Sequence, residues 1–225
     1  MYKSFEREKY PNLLDSIEIT YEQAINKLKQ NRYTQPPRYD KYNHTKEEDE
    51  IEHYVSVPFF SESFLRFIEH NKTIPTLYEF ESQYREDNKD FYGTYSTKAY
   101  RYAIRNRVHR AYPSLVRDIM FALFLRDKLE DKGIDVIYNE KLDKDEAIDI
   151  MLCGKRNWGI HLFTKTRRAE TFRAVKNNRH PDDFYNVNDI DLELNLNSNN
   201  KFGNIILYGE DDYNKLVKKC KEISE

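Results

Sequence analysis

The chain reads as an α/β protein, a mixed sheet flanked by helices and preceded by a small helical module. Three observations lead there. Residues 113–225 alternate helical and strand-like patterns, as a layered α/β domain requires. Residues 57–112 carry helical periodicity alone. Between the two strongest strand patterns a tight polar turn, Gly154-Lys155-Arg156-Asn157, marks a hairpin.

The elements follow in order, with boundaries at 1–56, 57–112 and 113–225. In the first segment Tyr21–Gln30 places Ala24, Ile25 and Leu28 at helical spacing. Pro36-Pro37 then ends regular structure, and the charged run Arg38–Glu52 reads as a linker. In the second, Ser61 is a candidate cap for a helix carrying Phe64, Leu65, Phe67 and Ile68. Pro75 stands at the start of a helix with Leu77, Phe80 and Tyr84 on one face. A third helix over Thr97–His109 turns Ala103, Ile104 and Val108 inward and its arginines outward. Such a trio suits DNA reading or protein contacts equally.

In the third segment Pro113-Ser114 opens a longer helix, Leu115–Asp131, stopped by Gly133. Strand patterns follow at 135–139, 147–153 and 158–165, then a basic helix near 169–178. The alternating run 189–196 and Asn204–Tyr208 complete the strands, and 211–223 is the last helix.

Composition narrows the function classes. Of 225 residues, 39% are apolar, 14% aromatic and 34% charged, enough for a core beneath a highly charged surface. No apolar run approaches the roughly 18 residues of a spanning helix, so no membrane partner is expected. Met1-Tyr2-Lys3-Ser4 begins no apolar signal region, and two cysteines make no disulfide scaffold. A cytoplasmic location is expected. Abundant Lys, Asn, Ile and Tyr suit an AT-rich bacterial, phage or mobile-element genome. The net charge of −2 gives no global pull toward a polyanion. The cations nevertheless cluster, at Lys98, Arg101, Arg105, Arg107 and Arg110, and at Lys165, Arg167, Arg168, Arg173, Lys176 and Arg179. Phosphate contacts are the functional use of such clusters, and a solvated face is the plain one.

One constellation carries chemistry. Asp149 interrupts the apolar run Ile148–Leu152, where a carboxylate is costly unless something binds it. Pairing across the 154–157 turn puts Asp149 opposite His161, and His161, Phe163 and Lys165 share a face because strand side chains alternate. Asp118 in the preceding helix is a further candidate acid, with Glu140 and Glu146 as alternatives. Asp149 also suits a purely structural role, capping a turn or pairing with Arg156, and His161 that of an ordinary half-buried histidine.

This succession of a helix, a strand, a strand with a central Asp, a hairpin and a third strand leading to a basic helix resembles the PD-(D/E)XK nuclease superfamily. Restriction enzymes, transposon end-cleaving nucleases and repair nucleases belong to it. The resemblance covers about residues 113–180. It implies a restriction-endonuclease-like fold, a DNA or RNA substrate, and Mg²⁺ held by Asp149 with Asp118. In that family the metal lowers the pKa of the attacking water. On this chain the motif positions after the Asp fall on His161, Leu162 and Phe163, so both functional letters of (D/E)XK are changed. His161 and a displaced Lys165 would take the catalytic places. Mg²⁺ prefers oxygen ligands to imidazole. The expectation is therefore a nucleic-acid-binding or -processing protein, with metal-dependent cleavage as its enzymatic form. The competing expectation is an inactive adaptor presenting Tyr-rich helices to a protein partner.

Other chemistries lack their motifs. The 6 glycines form no phosphate loop, no GxSxG is present, and the six histidines show no zinc spacing.

Overall fold

The computed structural model describes residues 7–31, 43–146, 148–164 and 187–220. The chain divides into two compact units. An α/β unit comprises Met1–Ser16, Arg117–Lys201 and Ile206–Glu225, and a helical unit comprises Ile17–Val116 and Phe202–Ile205.

In the helical unit α1 (Tyr21–Gln30) opens on a capping box, in which the Thr20 hydroxyl accepts from Gln23 N–H and the Gln23 side chain accepts from Thr20 N–H. The same device starts α2 (Lys46–Asp49) at Thr45 and Glu48, and a π-helical turn, Glu50–Tyr54, continues it. The charged stretch expected as a linker is thus partly helical. Its caps satisfy the first N–H groups, and Ile51 is its one fully buried apolar anchor. Helix α3 (Phe60–Asn71) begins after Phe59, so Ser61 lies inside it rather than capping it. Helix α4 (Leu77–Asp87) is capped by Thr76 with Glu79, and α5 (Lys89–Thr94) follows. Phe64, Phe80 and Tyr112 pack ring to ring, with Phe64–Phe80 centroids 5.5 Å apart and edge-on. The buried Tyr112 hydroxyl donates to Pro75 O at 2.9 Å.

Helix α6 (Lys98–Leu129) is one 32-residue helix where two were expected, and Pro113 lies inside it. A proline there removes its own N–H bond to the carbonyl four residues back, and its ring crowds that carbonyl. Apolar side chains buried on both sides of it, Val108, Tyr112, Val116 and Ile119, hold the helix through that gap.

In the α/β unit β1 (Asp135–Ile137) is followed by α7 (Glu140–Glu146), a polar helix that apolar periodicity does not reveal. The Asn139 side chain starts it, accepting from Lys141 and Leu142 N–H, and the buried Leu142 fixes it. Strands β2 (Ile150–Cys153), β3 (Asn157–Phe163) and β4 (Asn188–Glu193) complete a four-stranded mixed sheet in the order β1-β2-β3-β4. The first two joints are antiparallel and β3–β4 is parallel. Lys201–Phe202 (β5) and Ile205–Ile206 (β6) form a separate two-stranded sheet. The strand expected over Asn204–Tyr208 is therefore short and outside the main sheet. Helix α8 (Glu210–Lys219) closes the described chain, and Lys219 donates to Asp191 O at 2.8 Å.

Candidate functional site

Asp149 sits one residue before β2, half-buried between the buried Ile148 and Ile150. Its N–H donates to Ile160 O at 3.1 Å, and its Oδ2 accepts the Leu162 N–H at 2.6 Å. The carboxylate thus prolongs the β2–β3 ladder beyond the first residue of β2. That bond accounts for a charged residue among apolar neighbours, since a satisfied carboxylate is tolerated where a bare one is not.

The register Ile150↔Ile160 places His161 next to Asp149 across the hairpin. His161 Nε2 lies 3.2 Å from Oδ1 of Asp189, a residue of β4. Parallel pairing sets Asp189, Asp191 and Glu193 opposite Gly159, His161 and Phe163. All three acids are exposed, while Ile190 and Leu192 between them are buried. Gly159 permits this closeness. A Cβ there would meet Asp189 Oδ1 at 2.9 Å and Ile148 side-chain atoms at 3.1 and 3.2 Å.

Asp118 lies in α6, half-buried. Burial pushes the Tyr138 phenol well above its usual range, and Asp118, Asp143, Asp149 and Glu140 push it further. Burial likewise raises Tyr208, and both Asp118 and Asp149 add to the rise. Asp118 and Asp149 therefore act on the same two phenols. The protonated Tyr208 hydroxyl lies 3.1 Å from Phe163 O and 3.4 Å from Leu192 O, bonding the ends of the parallel pair.

The residues do not fit a magnesium ion. Among the described residues no group of three His, Cys, Asp or Glu side chains is placed to hold a metal. One oxygen of Asp149 is committed to Leu162, and His161 is turned to Asp189. Mg²⁺ requires a near-octahedral oxygen shell.

Of the residues expected to contact nucleic acid, Lys165, Arg167, Arg168, Arg173, Lys176 and Arg179 lie outside the described residues. Arg101 and Arg105 are exposed on α6 in the helical unit. Arg105 Nε lies 3.2 Å from Glu81 Oε2, and Arg85 and His109 reach the same carboxylate at 3.4 and 2.9 Å. Burial alone would raise the Glu81 pKa. The bond to His109 and the charges of Arg105 and His109 outweigh it and hold the carboxyl below its usual range. Arg107 and Arg110 turn to the buried carboxylate of Glu52, at 3.6 and 3.0 Å. Three of the five clustered cations are thus paired with carboxylates, Arg105 at an exposed position and Arg107 and Arg110 at largely buried ones.

Sequence reasoning missed Glu81 and Asp189. Glu81 had a signal, since it occupies the middle of the Leu77–Glu81–Tyr84 stripe of α4. Asp189 had none, because it meets His161 only through the β3–β4 pairing.

Comparison with known proteins finds no matching family model, no matching curated protein and no matching solved structure.

Proposed function

We propose that this protein binds nucleic acid through a nuclease-like α/β unit and holds it without metal-assisted cleavage. The observation that carries the reading is the sheet. The strand that follows directly on Asp149 lies between two antiparallel neighbours, and the chain then crosses from β3 to a parallel β4. A parallel joint needs a long connection. Here that connection is the sequence between Phe163 and Asn188, which carries Lys165, Arg167, Arg168, Arg173, Lys176 and Arg179. In this reading those cations contact phosphates, and the exposed acids of β4 keep the polyanion away from their own edge.

Binding without cleavage is supported by the Asp149 carboxylate, which serves the β2–β3 ladder, and by His161, which serves Asp189. A gel-shift titration of labelled DNA and RNA with wild-type protein and with Arg167→Ala/Arg168→Ala/Arg173→Ala tests the reading. Salt-sensitive binding that weakens in the variant is expected. Wild-type protein that shifts neither DNA nor RNA at low salt would sink it.

A second reading, an adaptor for a protein partner, is favoured by one observation. Tyr54, Phe59 and Tyr78 of the helical unit are 77%, 66% and 77% exposed, and aromatic side chains are enriched at protein interfaces.

A further inference from the structure

The N-terminal half of α6 carries a face that the α/β unit's reading does not use. Lys98, Arg101, Tyr102 and Arg105 stand at i, i+3, i+4 and i+7, one stripe of a helix, and all four are exposed. Tyr102 is 55% exposed although it is a large aromatic residue. Neither Lys98 nor Arg101 has an ion-pair partner among the described residues. From Lys98 to Arg117 the helix contains no Asp or Glu, so nothing on α6 itself neutralises the stripe.

Arg105 is held differently. The nearly buried Glu81 carboxylate of α4 takes Arg105 and Arg85, yet these remain 57% and 64% exposed. Arg85 also lies 5.8 Å from the Tyr92 ring centroid, within cation–π range. Glu81 therefore anchors two guanidinium groups by one edge and leaves their other donors facing solvent. A guanidinium has five N–H donors, and a single carboxylate leaves most of them open. The three cations of the stripe and Arg85 thus share one ion-paired carboxylate among the described residues, while the acids of the 46–54 segment meet α6 at Tyr100, Asn106, Arg107 and Arg110. By contrast, Arg107 and Arg110 are largely buried against Glu52 and contribute nothing to it.

We infer that Lys98, Arg101 and Arg105, with Arg85 beside them and Tyr102 among them, form a phosphate-contacting surface of the helical unit for the backbone of a nucleic acid. Charge complementarity selects the occupant. A run of evenly spaced anions satisfies a row of cations on one helix face, and an exposed tyrosine gives a base a ring to stack on. Arg101 and Arg105 are one helical turn apart, about 6 Å along the axis, so they reach separate phosphates. Glu81 is a positioning residue in this arrangement. The inference rests on the nucleic-acid reading above and names a second, separate contact surface for the same ligand.

The test uses the full chain and fluorescence anisotropy of labelled single- and double-stranded oligonucleotides across a salt series. Wild type is compared with Lys98→Gln/Arg101→Gln, both exposed positions whose loss removes no internal pair, and folding is checked by thermal melting. Losing two phosphate contacts should lower the slope of log affinity against log salt by about 1.4 to 1.8, with little dependence on base sequence. Tyr102→Ala should weaken single-strand binding by about fivefold or more, with Tyr102→Phe retaining it. If wild type binds and the double variant keeps its slope, this inference falls while the proposed function stands. If wild type binds no oligonucleotide, both fall. Equal competition by poly-glutamate of matched charge also overturns the inference, because the surface would then be reading acidic chains rather than phosphodiesters.

Discussion

Asp149 and Leu162 are joined across the β2–β3 hairpin by a side-chain bond, Oδ2 accepting the Leu162 backbone N–H at 2.6 Å. The residue with the strongest sequence claim to metal binding is thereby a piece of the sheet. Its Oδ2 stands in for a ladder carbonyl, since the register Ile150↔Ile160 would otherwise pair Leu162 with Ile148.

That relationship separates two substitutions at one position. Asp149→Ala removes the acceptor and leaves the Leu162 N–H unpaired in a half-buried place, a loss of about 1–3 kcal/mol. Asp149→Asn keeps an oxygen there and should lose about 1 kcal/mol or less. Urea denaturation of the two variants measures the difference, and equal losses would remove the structural role assigned to the carboxylate.

Gly159 admits two neighbours of different stiffness. Asp189 is an exposed side chain that can swing away, whereas Ile148 is buried and fixed. Gly159→Ala should therefore cost about 1–3 kcal/mol through overpacking. In a double-mutant cycle, Ile148→Val should recover part of that loss and Asp189→Ala little of it. Full recovery by Asp189→Ala would place the obstruction at the carboxylate instead.

The buried Tyr208 hydroxyl spans Phe163 O and Leu192 O. Tyr208→Phe keeps the ring, 4.9 Å from that of Phe121, and deletes only the donor. A destabilisation of about 1–2 kcal/mol is expected. Hydrogen exchange should quicken at the C-terminal end of the β3–β4 pair, where Leu194 N–H bonds Phe163 O at 2.9 Å. Unchanged exchange there would mean that the hydroxyl does not hold the parallel joint.

Glu81 gives the helical unit an acid limit. Its folded pKa lies below its ordinary value of 4.5. A depressed carboxyl contributes stability that is present above the unfolded value and is lost as pH falls through the folded one. Thermal stability should therefore decline as pH is lowered below about 4.5. Glu81→Gln should flatten this part of the profile and lower the stability at neutral pH. A decline of the same size and position in Glu81→Gln would show that other carboxyls set it.

The parts of the fold legible in the sequence are those whose pattern is local. The tight turn at 154–157 sets the hairpin register, and with it the placing of His161 beside Asp149. The α1 span follows from the Ala24, Ile25, Leu28 spacing. Helix α7 and the helical turns at 46–54 were hidden because each buries only one apolar side chain, Leu142 or Ile51, and a lone apolar residue has no period. Pro113 suggested a boundary that packing around it overrides. The His161–Asp189 pair joins residues on strands brought together by a long connection, which no sequence spacing announces. Glu81 had its signal in the α4 stripe but was passed over, because a carboxylate there reads as an interruption, when its partners are two arginines and a histidine from the same and a neighbouring helix.

The most direct test of the account is one experiment on labelled DNA and RNA, in Mg²⁺, in Mn²⁺ and in EDTA at matched ionic strength, with binding and strand scission read from the same samples. Wild type and Asp149→Asn should bind alike in all three conditions and leave the strands intact. Scission by wild type that requires the metal and vanishes in Asp149→Asn would contradict the account, and would make Asp149 a catalytic ligand rather than a bond in the sheet.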